Sequence, residues 1–385
     1  MLTDVRYPES QGMIRITQYS SPAYVKGCYG KAAHHRQGRG IVGSWGGKGT
    51  VRLGLKGTVD KFSFVRLCEN VNPRTGDAVT VRTRAKRTVG YMFTFSVPKS
   101  VSLLYGLTGD SGILDAFRAA VGESMREMER DIKTRVRKAG QDSDRGTGNM
   151  VWAELLFATA SPLRGRCDPQ LHAFVFVFNM TWDEQEQRWK AGVFRDLKSD
   201  APYFEAAFRV RMANKLLDLS FRVERKGKNF EIAGIPSDVL KRFSRRTEQI
   251  EGLVRERGII FPKGKAALGP KCRERARGIP HGLEELREEW NTRLTDQERQ
   301  VVAAVYRRET PSTRQINAEA QAVDHAIEHC FVVREAVVPE RKLVAEALRH
   351  GLGEVTLENI TRELSRRPLV WSEVAGRKMV RLNAH

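Results

Sequence analysis

The sequence predicts an α+β protein, with one domain on an antiparallel sheet flanked by helices and a small, mainly helical domain after it. Apolar–polar alternation and short apolar runs mark strands at residues 13–17, 90–96, 150–157 and 172–180. The helical stretches between them lack the strand–helix–strand rhythm that builds a parallel sheet. From Leu283 onward the pattern turns helical, with short loops.

Residues 1–12 read as a tail, and MIRIT at 13–17 opens the first domain, which is expected to run over 13–258. A Gly-rich loop over 38–57 precedes the strand GYMFTFS, which Pro98 closes because proline cannot donate to a ladder. Ile113, Leu114, Phe117, Val121, Met125, Met128, Ile132 and Val136 recur at steps of three and four, which predicts one helix over 113–139. The strands at 150–157 and 172–180 follow, then a turn over 183–187 and a short return at Trp189. Residues 201–219 read as helix, 221–232 as a hairpin around Gly227, and 236–257 as a helix entered at Ser237, a suitable cap. Residues 259–282 form a basic linker rich in Gly, Pro, Lys and Arg, and 283–385 the small helical domain, ending in a strand at 379–382.

The 385 residues carry 66 Lys+Arg against 46 Asp+Glu, a net charge of +20. The excess is N-terminal, with 17 basic and 5 acidic residues in 1–109 but 15 and 13 in 290–385. Residues 31–57 and 78–109 contain no carboxylate, so a polyanion that releases counterions on binding is the natural partner. No apolar run is long enough to span a bilayer and the first residues do not form a signal peptide, so a cytoplasmic protein without membrane insertion is expected. The five cysteines form no CxxC pair, and no GxxxxGK[ST] run is present, which argues against a disulfide framework, a structural zinc site and a nucleotide-hydrolysing module.

In DPQLHAFVFVFNMT, strand alternation puts His172, Phe174, Phe176 and Phe178 on one face. One histidine there is a core residue unless ligands converge from other elements. In the segment around SSPAYVKGCYGKAAHH, Tyr19, Tyr24, Tyr29, His34 and His35 lie beside the basic Gly-rich loop. Tyrosines in such a place stack on bases, attack a phosphodiester or simply pack.

These residues resemble the conjugative relaxases of the TrwC (MobF) type, HUH-superfamily enzymes that nick single-stranded plasmid DNA. The matching pieces are SWGGKGTVRLGLKG at 44–57, TFSVPKSVSLL at 94–104, DPQLH with NMT after it, and FSRRTEQIE at 243–251. The segment 323–360 is similar to the part that leads into a helicase in long members. The pieces are collinear from about residue 13 to 367. The resemblance implies a five-stranded antiparallel palm with helices behind it, a tyrosine that attacks the scissile phosphate, and an aspartate as base. It also implies a divalent metal, Mg or Mn, held by three histidines. On this resemblance the nucleophile falls at Tyr29, with Tyr24 as fallback, and Lys48, Arg52, Arg82, Arg84, Arg87 and Lys99 are the candidates to grip single-stranded DNA. A separate helicase or other relaxosome proteins are the further partners implied.

The family's His, small residue, His here reads His172, Ala173, Phe174; its third metal histidine aligns with Phe157, and its base with Met92. Phenyl and thioether groups do not ligate Mg²⁺ or Mn²⁺, so His172 is the one remaining ligand position. Rescue would need His34, His35, Asp168 or Cys167 beside His172, or a phosphate held by Arg and Lys alone. Three readings follow: a tyrosine-dependent nicking and strand-transfer enzyme, a catalytically inactive accessory that binds single-stranded DNA, and a truncated remnant.

Overall fold

The computed structural model describes residues 12–35, 40–81, 87–138, 140–258, 282–307, 317–332, 336–374 and 376–383. In chain order its elements are β1 (Ile14–Tyr19), α1 (Pro22–His35), β2 (Gly40–Gly46), a 3-10 turn (Lys48–Leu53), α2 (Lys61–Cys68), β3 (Gly90–Ser96), α3 (Lys99–Thr108) and α4 (Ser111–Arg130). Next come β4 (Lys133–Lys138), β5 (Gln141–Gly146), β6 (Trp152–Thr159), β7 (Pro169–Phe178), β8 (Thr181–Asp183), β9 (Arg188–Lys190) and β10 (Gly192–Val193). They are followed by α5 (Arg195–Ser199), α6 (Ala201–Asp218), β11 (Val223–Lys226), β12 (Asn229–Ile232), α7 (Ser237–Arg242), α8 (Arg245–Glu256), α9 (Leu283–Thr292) and α10 (Asp296–Arg307). The last described elements are α11 (Ala318–Ile327), a π-turn (Glu328–Val332), β13 (Val338–Pro339), α12 (Glu340–His350), α13 (Leu357–Ser365), β14 (Leu369–Val374) and β15 (Arg377–Leu382).

The chain forms two compact units, each assembled from separate segments: residues 1–110, 125–195 and 235–301 in the first, and 111–124, 196–234 and 302–385 in the second. The first contains the predicted antiparallel sheet, five strands in the order β1-β3-β7-β6-β2. Its register opposes Thr17 to Met92, Met92 to Phe176, Thr94 to Phe174 and Phe157 to His172. Side chains alternate between faces. Phe93, Phe95, Ala173 and Val175 therefore share one fully buried face. There α3 docks on β7, with Leu171 N–H donating to Ser102 Oγ at 3.1 Å and Lys99 Nζ to the Pro169 carbonyl at 2.7 Å. On the opposite face Trp45, Leu155, Phe176 and Phe178 pack with Val25, Tyr29, Leu53, Phe64 and Leu67. Asp60 caps α2 by accepting from Ser63 N–H at 2.7 Å.

Two helices depart from the sequence reading. The helix over 113–139 stops at Arg130; Ile132 lies in the connection that follows, its carbonyl accepting from Thr147 N–H at 3.0 Å, and Val136 belongs to the β4–β5 ribbon, closed at Gly140 in the left-handed region (φ 79°). A step of four is even, so two residues four apart share a face in a strand as well as in a helix. The helix over 236–257 breaks between Arg242 and Arg245: Phe243 turns fully into the core and Ser244 Oγ donates back to the Leu240 carbonyl at 2.7 Å. The region after Leu283 is also less purely helical than expected, since β13, β15 and β14 form a three-stranded sheet. The basic linker falls largely outside the described residues. Among the described residues no helix is long and apolar enough to cross a membrane.

The family-like pieces DPQLH and FSRRTEQIE meet in space. Asp168, 6% exposed, is clamped by Arg245 and Arg293, each at 2.7 Å. Trp290 Nε1 donates to the neighbouring Cys167 carbonyl at 3.0 Å. A buried carboxylate needs such charge-assisted partners, and here they tie β7 to α8 and to the end of α9.

Candidate functional site

The four positions implied for metal and base lie on one sheet face. Cross-strand pairing sets Phe157 beside His172, and Phe174 lies two residues further along β7. The His172 ring stacks on Phe157 at 5.3 Å between centroids and meets Phe174 edge-on at 4.9 Å; Phe157 and Phe174 are 5.3 Å apart. Met92, from β3, packs with Phe157 and Phe174 against the apolar cluster. His172 Nδ1 lies 2.9 Å from the Gln170 carbonyl. A carbonyl only accepts, so Nδ1 carries a proton and donates it to that oxygen. That orientation is the one a metal-binding imidazole takes, with its far N–H fixed on a backbone oxygen.

A divalent cation does not fit this set. Phenyl rings offer no lone pair, and among the described residues no group of three His, Cys, Asp or Glu side chains converges. Asp168 is committed to its two arginines and the Cys167 side chain is buried. The side chains of His34 and His35 lie outside the described residues. What the pocket does offer is apolar burial, so the three rings form an extension of the core.

The two tyrosines occupy opposite environments on α1. Tyr29 is 3% exposed, stacks on Phe64 with ring centroids 4.2 Å apart, and donates its hydroxyl to the Val59 carbonyl at 3.0 Å. Tyr24 is 52% exposed and stacks on Tyr19 at 5.4 Å. Burial and a committed hydroxyl set Tyr29 apart from the surface; Tyr24 stands where a strand could reach it.

The basic candidates divide in the same way. Lys48 is exposed on the 3-10 turn and lines a cleft of about 480 Å³ with Arg126, Arg130, Gly46, Gly47, Glu129 and Trp152. Glu129 is buried and its Oε1 accepts from the backbone N–H groups of Lys48 (2.7 Å) and Met150 (2.8 Å). Burial raises its pKa above the usual carboxylate value, against the pull of those N–H groups. Gly47 has φ 96° and lies so near Met150 that a Cβ would sit 2.2 Å from its carbonyl oxygen, so only glycine fits there. Arg126 and Arg130 were not among the sequence candidates; they lie on the exposed side of α4, opposite its apolar stripe.

Arg52 pairs with Glu184 and its guanidinium lies 4.4 Å from the centre of the Trp182 ring. Arg87 donates to the Cys68 carbonyl, and burial lowers its pKa. Lys99 is held on the Pro169 carbonyl. Arg82 and Arg84 lie outside the described residues.

Sheet order, ring cluster and clamp together define a relaxase-type palm, and comparison with known proteins agrees. The family model for the TrwC relaxase matches residues 20–297, and the chain belongs to that family, the TrwC/MobF type of the HUH endonucleases. The multifunctional conjugation protein TraI of Escherichia coli is 32% identical over 234 residues, covering 58% of this chain; the chain spans 13% of TraI's length. Two solved structures of conjugative relaxase TrwC in complex with oriT DNA are similar. The metal-bound one has 28% identity and a TM-score of 0.66, and the metal-free one 27% and 0.65. Each match covers 73% of this chain and 96% of the relaxase chain.

Proposed function

We propose that this chain is a relaxase-family protein that binds single-stranded DNA of a plasmid or mobile element and no longer performs metal-assisted nicking. The observation that carries the reading is the Phe157–His172–Phe174 stack, which puts two phenyl rings where the family resemblance places imidazoles. The solved relatives in complex with oriT DNA support DNA as the ligand. The basic N-terminal segment and the Lys48, Arg126 and Arg130 cleft supply cations to hold phosphates. The proposed site of action is the cytoplasm, as an accessory beside relaxosome proteins or a separate helicase. A divalent Mg or Mn ion belongs to the family's chemistry and has no role in this reading.

The competing reading is an active tyrosine transesterase, and the exposure of Tyr24 favours it over one built on Tyr29. Fluorescence anisotropy with random single-stranded oligonucleotides tests the binding proposal. Lys48→Glu with Arg126→Glu and Arg84→Glu should weaken binding at least about tenfold and flatten the log–log salt slope by about 0.7 for each phosphate no longer neutralised. Affinity unchanged by all three would oppose it.

A further inference from the structure

The end of the second unit has a connectivity that the relaxase palm does not use. From α11 the chain runs helix, strand, helix, helix, strand, strand, through β13, α12, α13, β14 and β15. The sheet order is β13-β15-β14, so the strand between the first two helices pairs with the last strand of the chain. This is the topology of a winged helix-turn-helix module, with α12 and α13 as the helical pair and the β14–β15 hairpin as the wing. Residues 298–385 lie beyond the family-model match.

The three helices of the module pack on one another, and α12 also packs on α6. Ala322, Val323 and Ala326 of α11, Leu343, Ala347 and Leu348 of α12, Ile360 and Leu364 of α13, and Val338 and Val380 of the sheet are all buried. Between the helical pair, Val355 is fully buried and a Cβ on Gly351 would lie 2.5 Å from its side chain, so the turn closes only with glycine there. Thr356 then caps α13, its hydroxyl accepting from Asn359 N–H at 3.1 Å.

With Ile360 and Leu364 turned inward, α13 presents Glu358, Thr361, Arg362, Ser365 and Arg366 outward, one stripe at helical spacing. Lys378 and Arg381 are exposed on the wing. Charge is segregated within the module: residues 357–383 hold six basic and three acidic side chains, whereas 317–356 hold four and seven. Glu358 pairs with Arg362 at 3.1 Å, an exposed ion pair of the kind that exchanges readily for phosphate, and Arg366, itself exposed, lies 3.5 Å from the half-buried Glu363.

We infer that residues 317–383 form a winged helix-turn-helix module that binds duplex DNA, with α13 entering the major groove and the β14–β15 wing meeting the adjacent backbone. Polarity places the two jobs apart, since the helix offers hydroxyls and guanidiniums that read base edges and the wing offers Lys378 and Arg381 to phosphates. The module would hold double-stranded DNA independently of the single-strand reading above.

The test uses the full chain and a 30-base-pair duplex of random sequence, read by anisotropy over a salt series, with a single-stranded oligonucleotide in parallel. The combined variant Arg362→Glu, Arg366→Glu, Lys378→Glu and Arg381→Glu should weaken duplex binding by about tenfold or more and reduce the salt slope by about 0.9 for each phosphate no longer neutralised. Its single-strand titration should stay within about twofold of the parent. Hydrogen exchange on the unmodified chain should show duplex-dependent protection in residues 357–382. Unchanged duplex affinity, equal loss on both DNAs, or no protection in those residues would each overturn the inference. The first outcome would leave the exposed Trp371 and Val374 to a protein partner.

Discussion

Placing two imidazoles at Phe157 and Phe174 should turn the ring cluster into a metal site, and the geometry sets how well. With a Zn–N bond of about 2.1 Å, the centre of each imidazole lies about 3.2 Å from the ion. Ligand angles between tetrahedral and right-angled then separate the ring centres by about 4.5–5.2 Å. The three centroid distances here are 4.9, 5.3 and 5.3 Å, so in Phe157→His with Phe174→His the ring spacing suits one ion, and the rings have to turn to aim three nitrogens at it. His172 needs no change of tautomer, because the Gln170 carbonyl already holds the proton on Nδ1. Met92→Asp would add the family's base beside them. The double variant should lose about 1–2 kcal/mol per ring in the absence of metal, from reduced apolar burial. Zinc or manganese at about 100 times the dissociation constant should return about 2.7 kcal/mol. Calorimetry and thermal melts with and without metal measure both quantities. A folded double variant that gives no binding heat and no metal-dependent rise in Tm would refute the assignment of Phe157 and Phe174 to ligand positions.

Further substitutions probe the remaining assignments. Tyr29→Phe removes the buried hydrogen bond to Val59 and should cost about 1 kcal/mol in a denaturation midpoint, whereas Tyr24→Phe should leave stability unchanged. Asp168→Ala strands two guanidiniums and should cost about 3–5 kcal/mol, lowering Tm by at least about 5 °C; a drop under about 1 °C would mean that the clamp is dispensable. The Cys68 thiol, pushed up to about 12 by burial, should resist alkylation at about pH 8 in the folded chain and react once denaturant is added.

Much of the palm was legible because its strands alternate: GYMFTFS predicted β3 to the residue. The overrun of α4 shows where periodicity fails, since Val136 fits either repeat and only pairing with β5 makes it strand. The proposed replacement of ligands rests on the family resemblance alone; nothing intrinsic to a phenylalanine in a strand says that a histidine belongs there. Partners of the candidate cations were not legible, because they come from distant chain: Glu184 lies 132 residues from Arg52, and the Pro169 carbonyl lies 70 from Lys99. The burial of Tyr29 was hidden in the same way, since Phe64 and Val59 reach it from beyond its own helix. The winged-helix connectivity was obscured because β13 is two residues long and its pairing with β15 spans some forty residues.

The central claim, DNA binding without metal-assisted cleavage, is met most directly by incubating the chain with random single-stranded oligonucleotides in Mg²⁺, Mn²⁺ or chelator. Denaturing electrophoresis and mass spectrometry then search for a DNA–protein adduct, with oligonucleotides carrying oriT sequences of the relatives alongside. The account predicts salt-sensitive binding with no adduct in any metal. A metal-dependent adduct on Tyr24 or Tyr29 would contradict it and identify an active relaxase.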